Sequence, residues 1–126
     1  MADKIFFDVQ SLNPYVKIVC GSFLPNGSSA VDNDSNTGTG WTVARGGTGS
    51  FTVTLTDKYP ALLSGQCSVA LNAVADTKVQ FGAIDVASAK TVVINVITTA
   101  SAADIASNAN NRIHFCLFLR NSDLTK

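Results

Sequence analysis

The chain contains no glutamate; all nine of its acidic residues are aspartate. Long surface helices draw on glutamate for propensity and for i,i+4 ion pairs, so its absence argues for a β-rich fold. Histidine occurs once, as His114, and no Cys or His pair has the C-x2-4-C or H-x3-5-H spacing of a zinc site. No excess of charge exists either: nine Lys and Arg balance the nine Asp. That leaves no electrostatic basis for non-specific binding to nucleic acid or to an anionic membrane. No apolar run reaches the roughly 18 residues of a membrane-spanning helix. Met1-Ala2-Asp3-Lys4-Ile5 lacks the basic, apolar and small-residue regions of a signal peptide. The three cysteines, Cys20, Cys67 and Cys116, are odd in number and far apart, each in an apolar, strand-like run. They are expected to be buried free thiols rather than a disulfide framework, in a protein made in a reducing cytoplasm.

What is present is a core. Apolar residues make up 46% of 126, enough for one domain over residues 1–126 that buries roughly two thirds of its unfolded surface. Residues 1–12 read as an amino-terminal arm or edge strand, with Ile5, Phe7 and Val9 on one side and Phe6 and Asp8 on the other. The last strand organises the rest. In Arg112–Arg120, Ile113, Phe115, Leu117 and Leu119 point one way, and His114, Cys116 and Phe118 the other. Apolar on both sides, it should lie mid-sheet and be covered above and below.

Shorter, more amphipathic strands surround it. Tyr15–Leu24 is expected to turn Val16, Ile18 and Cys20 inward. Asn26–Gly40, rich in Asn, Asp, Ser and Gly, is a long loop with several turns. Trp41–Arg45 is a short strand, and Ser50–Thr56 alternates cleanly, Phe51, Val53 and Leu55 against Thr52, Thr54 and Thr56. Ala61-Leu62-Leu63 reads as one helical turn. Strands around Cys67–Ala73, Thr77–Ile84 and Thr91–Thr98 form a meander. Ser101-Ala-Ala-Asp104 has the form of a capping box, predicting a short helix over 102–108 before the last strand. Eight strands and one short helix define an all-β fold, a β-sandwich of jelly-roll type, with an immunoglobulin-like sandwich second.

The residues offer little for catalysis. His114 and Cys116 share a face, but residues two apart on a strand are about 7 Å apart by rise alone, too far for a nucleophile and its base. A partner for that histidine would have to be Cys20 or Cys67 from another strand. Asp32-x-Asp34-x-Asn36-x-Gly38 has the look of a calcium loop, yet glycine falls one position late and Val43 stands where a bidentate glutamate belongs. Gly46, Gly47 and Gly49 lead to no Lys-Ser/Thr and no helix, so they make a turn and not a phosphate cradle. The expectation is a non-enzymatic protein with no catalytic, cofactor-binding or metal residues. A lone tryptophan beside a loop is usually a core or lid residue, yet Trp and Arg are also enriched at interface hot spots. Trp41 and Arg45, with Phe6 and Phe7, are therefore the candidate partner interface.

Three stretches carry a likeness as a set: Gly49-Ser50-Phe51-Thr52-Val53-Thr54-Leu55-x-Asp57-x-Tyr59-Pro60; Val79-Gln80-Phe81-Gly82-Ala83; and Ala102-Ala103-Asp104 leading to Asn110-Asn111-Arg112-Ile113-His114-Phe115. Together, from about Gly40 to Ser122, the chain resembles small structural proteins of tailed bacteriophages, of the capsid cement or decoration type. That resemblance implies a jelly-roll-like protein on the capsid exterior, made in the host cytoplasm, oligomeric and bridging major capsid subunits. Phe6, Phe7, Phe23 and Phe118, which do not all fit the inward face of one small sandwich, favour a dimer. Another virion β-domain, of tail, fibre or baseplate, or a sugar-binding module using Trp41, Tyr15 and Tyr59, is the alternative.

Overall fold

The computed structural model describes residues 15–121. They form β1 (Val16–Phe23), β2 (Trp41–Gly47), β3 (Ser50–Leu55), β4 (Ala61–Ala70), β5 (Thr77–Asp85), β6 (Thr91–Thr98), β7 (Ser101–Ala102) and β8 (Arg112–Arg120), with one 3-10 turn at Asn33–Ser35. Two antiparallel sheets result, one in the order β1-β8-β4 and the other β2-β3-β6-β5, with β7 pairing on β6. The architecture is the all-β sandwich that the alternation predicts. The expected strand at Ile5–Val9, with Phe6 and Phe7, lies outside the described residues.

β8 is the central strand of the three-stranded sheet, flanked along its whole length by β1 and β4. Its Ile113, Leu117 and Leu119 are fully buried and Phe115 nearly so. They meet Phe51, Val53, Val92, Ile94 and Val96 of the facing sheet in a single core. The two layers are tied by rings: Phe23 packs on Phe51 at 5.2 Å between centroids, and Trp41 stands edge-on to Phe115 at 4.7 Å. Trp41 fits because Gly21 lies beneath it; a Cβ there would come within 2.3 Å of the indole. Any side chain at that position would displace the ring.

The inward face of β1 is the reverse of the expected one. Val19, Gly21 and Phe23 stand opposite Leu117, Phe115 and Ile113 and face the core, whereas Val16 and Ile18 are half-buried and Cys20 is exposed. The β-branched residues suggest the other face, but the indole needs the gap at Gly21, and register then turns every neighbour. Ala61-Leu62-Leu63 is strand and not helix, paired to β8 through Ala61 and Leu62 with an irregularity before Ser64 that leaves Leu63 52% exposed.

No helix forms over 102–108. Ser101 and Ala102 pair with β6, and Asp104 is engaged elsewhere. Its carboxylate accepts the Gly49 amide at 2.9 Å and the Arg45 guanidinium at 3.2 and 2.7 Å. A side chain committed to the β2–β3 hairpin cannot cap its own segment. Gly49 itself sits at φ +62°, where a Cβ would fall 2.7 Å from the Val96 carbonyl oxygen, so the turn requires glycine.

The polar loop between β1 and β2 is tied down at many points. Ser22 and Thr37 exchange backbone hydrogen bonds at 2.9 Å. The Asp32 carboxylate accepts from the Asp34 amide and the Ser35 hydroxyl, which turns it toward its own backbone. Asn33 accepts from the Val43 amide and donates to the Val43 carbonyl. Arg112 donates to the Ser22 hydroxyl at 2.7 Å and to the Ser35 carbonyl at 2.9 Å.

Candidate partner-binding face

The buried side of β8 leaves its other side to be accounted for. Residues directly opposite in antiparallel strands share a face, so the register defines the outer surface of the three-stranded sheet row by row. One row holds Ile18, Phe118 and Ser64; the next holds Cys20, Cys116 and Gln66; the next holds Ser22, His114 and Ser68. Val16, Arg120 and Ala61 close one end, and Arg112 and Ala70 the other. Val16, Ile18 and Phe118 are half-buried, His114 and Gln66 exposed. The expectation that this side of β8 is covered is therefore not met among the described residues. A shallow depression of about 200 Å³ opens beside it, lined by Gln66, Cys67, Ser68, His114, Phe115 and Cys116.

Among the described residues, this face carries Arg112 and Arg120 and no carboxylate. A second apolar feature stands at the β4–β5 turn, where Val74 is fully exposed. Two depressions, of about 340 and 260 Å³, flank that turn and share Leu71, Asn72, Ala73, Ala75 and Thr77.

The residues singled out as a partner interface are placed differently. Trp41 is only 6% exposed and belongs to the core, held between Phe23 and Phe115. It offers no surface anchor. Arg45 is partly buried and spent on Asp104; that pairing raises the Arg45 pKa, and holds the Asp104 carboxyl below its usual range with help from the Gly49 amide. Phe6 and Phe7 lie outside the described residues. Of the large rings that favour a dimer, Phe23 is fully buried in the core and Phe118 half-buried on the outer face; Ile18 and Cys20 went unmarked because only the pairing of β1 with β8 sets them beside it.

The cysteines are free thiols as expected, but none of the three is fully buried. Cys67 is half-buried on the core side of β4, opposite Phe115. Cys20 is exposed, and its sulfur lies 2.6 Å from that of Cys116 on the adjacent strand. Burial pushes the Cys20 thiol up to about 11, and sharing its hydrogen with Cys116 adds to the shift. A nucleophilic cysteine needs the opposite displacement, toward the thiolate. Among the described residues, no group of three His, Cys, Asp or Glu side chains could hold a metal ion.

Residues of the hairpin and of the Asp104–Phe115 stretch singled out in the sequence take up structural positions. Phe51, Val53, Leu55 and Tyr59 are buried, and Asp104 ties the hairpin at Gly49. Asn111 is buried, accepting from the Asn72 amide and donating to the Ala106 carbonyl. Set against family models, curated proteins and solved structures, the chain finds no match.

Proposed function

We propose that this protein is a non-enzymatic structural component of a tailed-phage virion, a capsid cement or decoration protein that binds the outer capsid and bridges major capsid subunits. The observation that carries the reading is the outer face of the three-stranded sheet, half-buried and apolar at Val16, Ile18 and Phe118 in rows that the register lines up. Such a surface suits a protein partner that buries it. The likeness of its hairpin, Asp104 and Asn110–Phe115 stretches to phage cement proteins supplies the kind of partner.

With no net charge to steer association, affinity rests on buried apolar and hydrogen-bonded area. Bridging adds multivalency, since one copy touching two capsid subunits gains far more than either contact alone. Self-association, as a dimer, belongs to the same reading; of its sequence candidates Phe6, Phe7, Phe23 and Phe118, Phe23 is taken up by the core and Phe118 is half-buried on the outer face. A sugar-binding role is less well supported: of its three aromatics, Trp41 and Tyr59 are buried and only Tyr15 is exposed.

The test is rebinding of the purified protein to phage particles that lack it. Tight binding to assembled shells, weak binding to isolated capsid subunits and little loss from low to molar salt are expected. Binding to unassembled subunits alone, or release by salt alone, would refute the reading.

A further inference from the structure

We propose that Cys20 and Cys116 form an oxidation site: a reversible intramolecular disulfide that ties the edge strand β1 to the central strand β8. The inference is independent of the capsid reading. Three features of the fold support it. The two residues are direct partners in the antiparallel register, which sets their Cα atoms about 4.5–5.5 Å apart, inside the range that a disulfide spans. Their sulfurs are already 2.6 Å apart, about half an ångström longer than the bond itself. The pair lies on the outer face of the sheet with Cys20 exposed, so an oxidant has access. The remaining thiol, Cys67, points to the opposite side of the same sheet and cannot compete.

The chemistry balances with a small disulfide such as oxidised glutathione as the oxidant. The Cys20 thiolate attacks one glutathione sulfur, breaking that disulfide, and one glutathione leaves as a thiolate that takes up a proton. Cys116 sulfur then attacks Cys20 sulfur in the mixed disulfide. The Cys20–Cys116 bond forms, the second glutathione leaves, and it too is protonated. Two electrons pass from the protein thiols to glutathione disulfide. Since the thiolate is the attacking species, the high pKa of Cys20 makes the first step slow near neutrality and faster as pH rises. Exposed cross-links of this kind are reduced more readily than buried structural ones, so dithiothreitol should open it.

The experiment treats the folded full-length chain with oxidised glutathione at pH 8 and maps peptides without reduction. The expected result is a Cys20–Cys116 cross-linked peptide, free thiols falling from three to one, and full reversal by dithiothreitol. Cys67→Ser should behave identically. Cys20→Ser and Cys116→Ser should each stop at a glutathione adduct on the remaining partner; circular dichroism of each reports that it is folded. Stable glutathione adducts on both residues of the wild-type chain, cross-links between chains, or pairing with Cys67 would overturn the proposal.

Discussion

The two sheets present the same kind of surface to each other and opposite kinds to the outside. Between them lie Phe23, Trp41, Phe51, Ile94, Leu117 and their neighbours, all buried. Outside, the five-stranded sheet is richest in threonine around β3: Thr42, Thr54 and Thr91 form one row, and Thr52 lies between Ala44 and Val93 in the next. The three-stranded sheet instead shows Ile18, Phe118, two thiols and arginines. Threonine is at home on a half-solvated strand. A half-exposed phenylalanine and isoleucine beside paired thiols are less so. On the proposed reading, solvent meets one outer face and the partner the other, although both sheets share one core.

Substitutions break this comparison at different depths, and the largest effect lies inside. Trp41→Ala removes a ring packed against Phe23 and Phe115 and leaves a cavity between the layers. It should cost about 3–5 kcal/mol, the range for aromatic truncation in a core, seen as a fall in the denaturant midpoint with unchanged slope. Trp41→Phe should cost much less, because the indole N–H has no hydrogen-bond partner to lose. Next come the two outer faces. Phe118→Ser should weaken shell binding by about 2 kcal/mol, roughly thirtyfold, as removal of a central anchor does. Thr54→Val, on the other face, should leave binding unchanged and stability within about 0.5 kcal/mol. Titration of rebinding with each variant, beside its denaturation curve, separates the two.

The smallest effect concerns pH. The Cys20 pKa lies near 11 in the folded chain against 9.0 for an unperturbed thiol. A raised acid binds its proton more tightly when folded, so its contribution is complete below pH 9 and is lost between pH 9 and 11. Tyr59 and Cys67 are shifted the same way by burial. The reduced protein should therefore lose stability over that window, and Cys20→Ser should lose less. Thermal unfolding at pH 8, 9, 10 and 11 measures the difference.

Much of the fold was legible because alternation survives in single strands. Phe51, Val53 and Leu55, Val92, Ile94 and Val96, and the inner side of β8 are buried as their period predicts. What was not legible depends on partners distant in sequence. The capping-box pattern at Ser101–Asp104 is a local signal, and it loses to Arg45 and Gly49, 59 and 55 residues away. The face of β1 follows from the void above Gly21 that Trp41 fills; neither residue announces the other. The same contact removed Trp41 from the candidate site. The outer face itself, and the meeting of Cys20 with Cys116 across 96 residues, exist only through the β1–β8 register.

The assignment of opposite roles to the two outer faces is tested most directly by footprinting. The reduced protein, free and bound to shells, is treated with a maleimide at Cys20 while amide hydrogen exchange is followed in β2 and β3. The account predicts that binding blocks Cys20 labelling and slows exchange along β1, while β2 and β3 exchange as in the free protein. Undiminished labelling of Cys20, with new protection over Thr42–Thr54, would place the partner on the threonine face and contradict it.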